Sequence, residues 1–287
     1  MDIMSFQTFL AAAETGSFAS AALSVNASAS TVTERIKQLE HSTGVQLFDR
    51  DRRGCRLTAA GLKFRDAARQ IVRAWQLGLH DVSLPEQFTR TVHFGGQYAL
   101  WADYLLSWLS AARHDFEDIA FSVTSGASQR LNRDLAEGRL DIAVMYNPVF
   151  RRDVAAEMLF RDPLILVGPK KDKDWRSHYV HIDWGPALST EIAINHNLRP
   201  VTGLNLDLGV LSKEWLVLNN MYGFIPKSLA VADLVAGRLQ HIDEVGELEN
   251  AAYICWRRGI DSIIEEDVID HLKARITKQS LSLTCEV

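Results

Sequence analysis

The stretch from residue 21 to residue 40, AALSVNASASTVTERIKQLE, restricts the possible folds more than any other part of the chain. Val32, Ile36 and Leu39 recur at i, i+4 and i+7, which is the spacing of one apolar helix face. Ser28 stands directly before this pattern, and its hydroxyl can accept a backbone N–H group as an N-cap. The spacing therefore predicts a helix that begins after Ser28 and buries one face.

A second, shorter helix is predicted just before it. Ala21, Ala22 and Val25 form a short apolar stripe, and Asn26-Ala27 suits a tight turn. Two short helices joined by such a turn have the shape of a helix-turn-helix. The other face of the second helix carries small, polar or long side chains, as a helix in the major groove of DNA requires. We predict DNA contacts from Ser28, Ala29, Ser30, Thr33, Glu34, Arg35 and Lys37. On these residues alone, a solvated surface helix explains the pattern equally well.

A basic hairpin is predicted after these helices. Leu47-Phe48 and the segment from Cys55 to Leu57 can pair around Arg53-Gly54, because glycine adopts the positive φ of a hairpin turn. Arginine side chains at such a turn can hold phosphates bidentately or enter a minor groove. Beside a recognition helix, this hairpin is interpreted as a wing with DNA contacts from Arg50, Arg52 and Arg53. The alternative is a solvated basic turn.

Over this whole N-terminal region, the sequence resembles the DNA-binding domain of the LysR-type transcriptional regulators. The matching residues are Phe9, Ser17-Phe18, Ala21-Ala22, Ser28, Ser30, Ile36, Leu39-Glu40, Gly44, Leu47-Phe48, Arg50, Leu57-Thr58, Ala60 and Gly61. The chain departs from the family at Ala29, where most members carry Gln, and at Glu34, where Arg is common. Residues similar to those of the HdfR-type repressors, one branch of the family, are Trp75-Gln76, Leu100-Trp101, Trp108 and Asp183-Trp184-Gly185-Pro186.

A long helix is predicted from Ala59 to Leu84, capped by Thr58 and ended by Pro85. Its apolar residues recur at steps of three and four, and no sheet is predicted to cover them. A long helix with an exposed apolar face usually pairs with another helix. The resemblance implies antiparallel pairing with the same helix of a second subunit. The predicted dimerisation residues are Phe64, Ala68, Ile71, Val72, Trp75 and Leu79.

From Thr91 onward, strands alternate with helices, which predicts mainly parallel sheet with right-handed crossovers. The resemblance implies a two-lobed α/β effector domain like that of periplasmic binding proteins. The predicted fold class is therefore α+β multidomain: a winged helix-turn-helix, a long linker helix and this effector domain. The predicted boundaries are 1–58 for the DNA-binding domain, 59–88 for the linker and 89–287 for the effector domain, with lobe I at about 89–160 and 262–287 and lobe II at about 161–261.

A ligand cleft is expected between the lobes, because α/β sheets bind ligands outside the carboxyl ends of their strands. The predicted effector-binding residues are Gln97, Tyr98, Leu100, Trp101, Ser125, Gly126, Ser128, Tyr146, Asn147, Thr202, Gly203 and Phe224. For each of them, a role as a turn or core residue is an equal alternative. The segment from Ala99 to Trp101 is apolar where the family often has a helix-start hydroxyl. This favours an aromatic or uncharged ligand, or none, over a carboxylate.

Other chemistry finds no support in the sequence. His178 and His181 are poorly spaced for one metal ion and have no further ligands nearby. Cys55, Cys255 and Cys285 are scattered, which argues against a disulfide framework and fits a reducing compartment. We therefore predict no catalytic residue, no metal and no cofactor, and we expect that the chain is not an enzyme.

The charge is unevenly divided along the chain. Residues 1–90 hold 11 Lys and Arg against 9 Asp and Glu, whereas residues 91–287 hold 20 against 27. The acidic C-terminal part should discourage indiscriminate binding to nucleic acid. No apolar run reaches the roughly 20 residues of a membrane helix, and the first residues lack a signal sequence, so we expect a cytoplasmic protein without membrane contact.

The predicted function is that of a LysR-type DNA-binding transcriptional regulator controlled by a small molecule of unknown identity in the cleft. The expected partners are a double-stranded, pseudo-palindromic DNA operator, a second copy of the chain in a homodimer or, preferably, a homotetramer, and RNA polymerase. The alternative is a cytosolic small-molecule binding protein or enzyme with a helical N-terminus that does not bind DNA.

Overall fold

The computed structural model describes residues 2–51, 54–169, 174–198 and 203–284, except for the side chains of Asn195 and of residues 281–284. The chain forms two compact units, residues 1–87 and residues 88–287. Within the described ranges, no helix combines the length and the apolar character needed to cross a bilayer.

The N-terminal unit contains four helices and one hairpin. Its elements are α1 (Ile3–Thr15), α2 (Phe18–Ser24), α3 (Ala29–Thr43), β1 (Phe48–Asp51), β2 (Gly54–Leu57) and α4 (Ala59–Asp81). The predicted caps at Ser28 and Thr58 are confirmed, because both side chains accept backbone N–H groups at the starts of α3 and α4, as Ser17 does at the start of α2. Gly44 ends α3 in the left-handed conformation, at φ 70°.

The core of this unit lies between α1, α3 and the first half of α4. Phe9, Ile36 and Leu39 are fully buried, and Phe9 packs edge-on against Phe64 with ring centroids 5.3 Å apart. The helix α4 is three residues shorter than predicted. It ends at Asp81 because the N–H groups of Ser83 and Leu84 bond to carbonyls three residues back, in a tightening turn.

The C-terminal unit is built around two sheets, one in each lobe. In the lobe I sheet, the strand order is β4-β3-β5-β12-β6. The strands β3, β4 and β5 are parallel, and β12 runs antiparallel between β5 and β6. The strand bounds are β3 (Arg90–Gln97), β4 (Ile119–Gly126), β5 (Ile142–Tyr146), β6 (Val154–Arg161) and β12 (Ala251–Arg257).

Lobe II contains two smaller sheets. In one, β7 lies between β10 and β11, and in the other β8 pairs in parallel with β9. The bounds are β7 (Leu164–Gly168), β8 (His181–Ile182), β9 (Asn205–Leu206), β10 (Gly223–Pro226) and β11 (Gln240–His241).

Helices cover these sheets. Their bounds are α5 (Leu106–Asp115), α6 (Ser128–Ala136), α7 (Pro186–Asn195), α8 (Leu211–Asn219), α9 (Lys227–Val235) and α10 (Ile269–Thr284). Before α5, the chain forms a 3-10 turn, Tyr98–Leu100, and a π-helical turn, Trp101–Leu105.

The predicted division of the lobes was wrong at one strand. Residues 251–257 were expected in lobe II, but β12 bonds along its length to β5 and β6 of lobe I. The reason is that the chain crosses between the lobes twice, after Arg161 and again before Ala251. Lobe I therefore consists of residues from both sides of lobe II.

Candidate nucleic-acid interface and ligand cleft

The exposed face of α3 runs along the helix from its N-terminal end. Ser28, Ala29 and Ser30 are exposed, as are Glu34 and Lys37 farther along. The Ser28 hydroxyl serves as the helix cap and also contacts the Ser30 hydroxyl at 2.7 Å. Thr33, which is half-buried, donates from Oγ1 to the Ala29 carbonyl at 2.9 Å. Small and polar side chains on a protruding face let a helix approach base edges closely.

Two charged side chains of α3 have hydrogen-bond partners within the N-terminal unit. Arg35 is half-buried and donates from Nη1 to Thr8 Oγ1 of α1 at 3.2 Å, so it joins two helices of the unit instead of lying on the exposed face. Glu34 accepts a hydrogen bond from Gln38, one turn along the helix, at 3.2 Å. A residue at i+4 lies almost directly above on a helix, which favours Gln38.

Glu40, at the C-terminal part of α3, holds the wing. Its Oε1 accepts the backbone N–H groups of Leu47 at 2.9 Å and of Phe48 at 3.1 Å. Its Oε2 lies 3.4 Å from Arg50 Nη2. The sequence interpretation did not assign Glu40 a role in the site, although it stands among the residues of the family resemblance. Through it, the recognition helix sets the position of the first wing strand.

The wing strands β1 and β2 pair antiparallel from Phe48↔Leu57 to Asp51↔Gly54. The guanidinium of Arg50 lies 4.4 Å from the centre of the Phe18 ring, so its position is fixed by Glu40 and Phe18 together. Arg52 and Arg53, both predicted to contact DNA, lie outside the described residues. Burial raises the pKa of the Cys55 thiol on β2.

The apolar stripe of α4 divides into two parts. Ala68 and Val72 are buried in the core of their own unit, and Phe64 packs against Phe6 and Phe9 there. These three predicted dimerisation residues therefore contact their own chain. The other three continue the same side of the helix and are exposed by 41% (Ile71), 51% (Trp75) and 51% (Leu79).

The C-terminal unit contains a cleft of about 520 Å³ between its lobes. The described lining residues are Gln97, Tyr98, Ala99, Ala127, Ser128, Gln129, Asn132, Asn147 and Val149 from lobe I, and Asp183, Trp184, Gly185, Pro186, Asp207 and Gly209 from lobe II. Most of these residues follow the carboxyl ends of strands. The cleft thus lies where an α/β sheet places a ligand.

Only part of the predicted effector set lines this cleft: Gln97, Tyr98, Ser128 and Asn147. Leu100 and Phe224 are buried in the hydrophobic core instead, and Trp101 donates from its indole N–H to the Gly96 carbonyl at 3.0 Å. The residues Ser125, Gly126 and Gly203 are not in the lining, and Thr202 lies outside the described residues. Leu100 ends the 3-10 turn and Trp101 begins the π-helical turn, and both side chains pack into lobe I.

Gln97 is the most constrained polar residue of the cleft, with 8% of its surface exposed. Its Oε1 accepts the Tyr146 backbone N–H at 2.7 Å and lies 2.8 Å from the Ser128 hydroxyl. Because the carbonyl end of the amide is held in this way, the orientation of its Nε2 group is fixed. Asn147 connects the lobes, since its side-chain nitrogen donates to the Trp184 carbonyl.

A buried carboxylate lies beneath the cleft, at the first crossing between the lobes. Asp162 accepts the Tyr146 hydroxyl at 2.5 Å from lobe I, and the Ser228 N–H at 3.0 Å and hydroxyl at 2.7 Å from lobe II. Burial raises the pKa of Asp162, against the effect of these donors. Tyr146 was predicted to contact the effector, but its side chain instead bonds to Asp162 at the crossing between the lobes.

Of the residues predicted on the lobe II side of the cleft, Gly203 and Phe224 are not in the lining and Thr202 lies outside the described residues, and the residues that line this side were not predicted. The tetrad from Asp183 to Pro186 stood out in the sequence only as a resemblance, and Asp207 gave no signal. A turn with an acidic residue after each of two short strands was the available sign. His181 bonds to the Ser189 hydroxyl at 3.0 Å, and burial lowers its pKa. Among the described residues, no group of three His, Cys, Asp or Glu side chains is arranged to hold a metal ion.

Comparison with known proteins identifies both units. Residues 3–62 match the family model described as bacterial regulatory helix-turn-helix protein, lysR family. Residues 85–276 match the model of the LysR substrate binding domain, which on its own spans more than half of the chain.

Curated relatives and solved structures agree with these matches. The HTH-type transcriptional regulator HdfR of Yersinia enterocolitica is 28% identical over 240 residues, covering 79% of this chain and 82% of that protein. HdfR of Shigella boydii is 27% identical over 266 residues, covering 91% and 94%. Full-length CbnR, solved in complex with its target DNA, has a similar fold, with a TM-score of 0.63 and 17% identity over 97% of this chain and 100% of that one. The chain therefore belongs to the LysR family and is a LysR-type DNA-binding transcriptional regulator with an effector-binding substrate domain.

Proposed function

We propose that this regulator binds a pseudo-palindromic operator through the exposed half of α3 and the wing, as a homodimer or homotetramer, under the control of a small molecule in the inter-lobe cleft. It acts in the cytoplasm, together with RNA polymerase, and has no catalytic activity of its own. The observation that carries the proposal is the protruding polar face of α3 beside a wing that Glu40 fixes.

The proposed DNA contacts fall into two classes. Ser30, Thr33 and Glu34 are the candidates for base contacts, since Ala29 can at most touch a thymine methyl group. Lys37 and the wing arginines Arg52 and Arg53 are the candidates for phosphate or minor-groove contacts. Arg50 serves mainly to position the wing, because Glu40 and Phe18 already engage its guanidinium.

An experiment on DNA binding tests these roles. The full chain is titrated against genomic fragments from its host, and the operator is then isolated from the fragments retained. Lys37→Ala and Arg53→Ala should each weaken binding to operator and non-operator DNA about equally, and each should reduce the salt slope by about 1. Arg113→Ala removes the same charge from an exposed site in the C-terminal unit and should change neither.

Two results would contradict the proposal. A loss confined to the operator would make Lys37 or Arg53 a base-reading residue. Equal effects of all three substitutions would mean that net charge, and not the α3 and wing surface, governs DNA binding.

The proposed oligomer rests on the second part of the α4 stripe. Ile71, Trp75 and Leu79 leave an apolar face exposed past the core of the N-terminal unit, and an identical helix is the natural cover for such a face. The proposed control by a ligand rests on the link from Gln97 through Tyr146 to Asp162. This link joins the cleft floor to the first crossing between the lobes, where a change in lobe closure would act.

A further inference from the structure

The lobe II wall of the cleft carries a pair of acidic residues. Asp183 follows β8 and Asp207 follows β9, and these two strands are parallel neighbours in the register His181↔Asn205. The Asp183 N–H continues the ladder by bonding to the Leu206 carbonyl at 2.8 Å. The two aspartates therefore stand side by side at the carboxyl ends of adjacent strands, and both line the cleft.

Within the described residues, neither carboxylate has an ion-pair partner. Asp183 Oδ1 accepts the Gly185 N–H at 2.8 Å. Like charges on adjacent strand positions destabilise a sheet. A positively charged group between them would remove this repulsion.

The described lining of the cleft offers no counter-charge to an anion. Among those lining residues, Asp183 and Asp207 are the charged ones, and Lys and Arg are absent. An aromatic residue lines the same cleft, since Tyr98 is 43% exposed and lies against Gly209, two positions after Asp207. A side-chain atom added to Gly209 would come within 2.8 Å of Tyr98 Cβ. Carboxylates together with an aromatic face are the surroundings in which proteins bind organic cations.

The lobe I wall of the cleft carries hydrogen-bond donors, in contrast to the two carboxylates of the lobe II wall. Gln97 is more than nine-tenths buried, and its Oε1 is held by Tyr146 and Ser128, so its Nε2 faces the cleft and has no acceptor among the described residues. The first turn of α6, which includes Ser128 and Gln129 of the lining, also presents N–H groups and the positive end of the helix dipole. These groups fit an acceptor oxygen of the ligand.

We infer that the cleft binds a small organic amine, with its ammonium group at Asp183 and Asp207 and an acceptor oxygen at Gln97. The inference rests on the proposed control by a cleft ligand and names the chemical class of that ligand. A cationic ligand differs from the sequence-based expectation, which favours an aromatic or uncharged ligand, or none. A ligand spanning the cleft in this way contacts both lobes and favours the closed arrangement.

The test uses the purified full chain and matched probes of opposite charge. The amines are ethanolamine, choline, putrescine, tyramine and the amides of leucine and phenylalanine. The anions are glycolate, succinate, 4-hydroxyphenylacetate and the N-acetyl forms of leucine and phenylalanine. Binding is measured by calorimetry and by the shift of the unfolding temperature, with calcium chloride and magnesium chloride as separate probes.

At least one amine should bind, and its carboxylate partner should not. The variant Asp183→Asn/Asp207→Asn should weaken amine binding by about tenfold, the sum of two exposed charge contacts. Asn at position 183 keeps an acceptor for the Gly185 N–H, so the fold is preserved. Glu117→Gln removes an exposed charge before β4, at the opposite end of that strand from the cleft, and should leave binding unchanged.

Gln97→Glu tests the other end of the ligand. It keeps an acceptor for the Tyr146 N–H but removes the free donor, and should weaken amines that carry an oxygen more than it weakens putrescine.

Other outcomes would overturn the inference. Binding of carboxylates alone would assign the cleft to anions. If Arg199→Gln then abolished this binding, Arg199, which lies outside the described residues, would be the positive charge that holds the anion. Binding of calcium or magnesium that depends on the two aspartates would make the pair a metal site. Failure of every amine, while the same preparation still binds operator DNA, would reject the amine and leave the proposed DNA-binding function intact. Failure to bind DNA would instead reject the proposed function.

Discussion

Arg50 on the first wing strand lies 3.4 Å from Glu40 on the recognition helix. The same carboxylate accepts the N–H groups of Leu47 and Phe48, so one side chain fixes both the start of the wing and its first arginine. The two elements that are proposed to contact DNA thus behave as one body.

Glu40→Ala should loosen the wing without unfolding the unit. It leaves two N–H groups without an acceptor, at about 1–3 kcal/mol each. Glu40→Gln keeps an acceptor oxygen and loses only the partly exposed ion pair, at about 0–1 kcal/mol. Hydrogen exchange at the Leu47 and Phe48 amides measures both effects, and DNA affinity should fall with loss of protection. Equal protection in the two variants would mean that Glu40 does not hold the wing.

Glu34→Gln should separate two roles for the exposed glutamate of α3. If Glu34 accepts a hydrogen bond from cytosine, the substitution costs about 1–3 kcal/mol at one base pair. If Glu34 only repels phosphate, binding tightens on all sequences and the preference stays unchanged. Selection from a randomised operator pool distinguishes these results. If neither preference nor nonspecific affinity changes, Glu34 does not face the DNA.

Ile71→Asp should disrupt the oligomer. In a paired helix, the substitution would bury two unpaired carboxylates, at a cost of several kcal/mol per interface. Gln70→Asp is the matched control, because Gln70 is exposed and lies off this stripe, about 100° around α4 from Ile71 and about 140° from Trp75. Sedimentation of both variants checks the prediction. A normal oligomer in Ile71→Asp would show that this stripe does not form the subunit contact.

Asp162→Asn should destabilise the C-terminal unit at neutral pH. An amide offers one acceptor to three donors, so at least one of the Tyr146 and Ser228 groups loses its partner, at roughly 1–3 kcal/mol. In a Tyr146→Phe background the cost should be smaller, because one donor is already gone. Urea denaturation of the four proteins in this cycle gives the coupling, and strict additivity would contradict the contact.

The pH dependence of the same variant should also change. Burial raises the pKa of Asp162 above its usual 3.8, so the folded chain keeps this proton over a window in which the unfolded chain has lost it. The contribution of Asp162 to the free energy of unfolding therefore falls as pH rises from 3.8 through the folded-state pKa, and is constant above it. Asp162→Asn should lack this fall. The same slope in both proteins would assign it to other groups.

The described cysteines should be unreactive in the folded protein. Burial raises the pKa of Cys255 to about 12 and also raises that of Cys55, so neither forms the nucleophilic thiolate at neutral pH. Mass spectrometry after brief iodoacetamide treatment should find both unmodified, and both labelled after unfolding in urea. Rapid labelling of Cys255 in the native protein would reveal an opening of the lobe I sheet. Cys285, which lies outside the described residues, is detected on its own peptide.

The elements that depend on neighbouring residues were predictable from the sequence. The cap at Ser28, the stripe Val32-Ile36-Leu39 and the end of α3 at Gly44 are set by local hydrogen bonds and by helix periodicity. The family resemblance supplied the two-lobed architecture. What the sequence did not reveal depends on contacts between distant residues.

Three residues illustrate this limit. Arg35 was assigned to DNA as a charged residue of α3, but its partner Thr8 stands 27 positions away. Asp183 and Asp207 become neighbours only through the pairing of β8 with β9. Apolar strand composition likewise could not decide between the two sheets for β12, because a central strand of either sheet has the same pattern.

Because β12 belongs to lobe I, lobe II can form all of its sheets before lobe I during translation. Every strand of lobe II precedes residue 242, whereas β5 and β6 of lobe I both pair with β12, which ends at Arg257. As the chain leaves the ribosome, the second lobe therefore has its full set of strands while the first still has an open edge. Premature termination anywhere before Ala251 therefore removes β12, a central strand of the lobe I sheet. It leaves β6 without a strand partner and exposes the edge of β5 that β12 covers, beside the floor of the cleft.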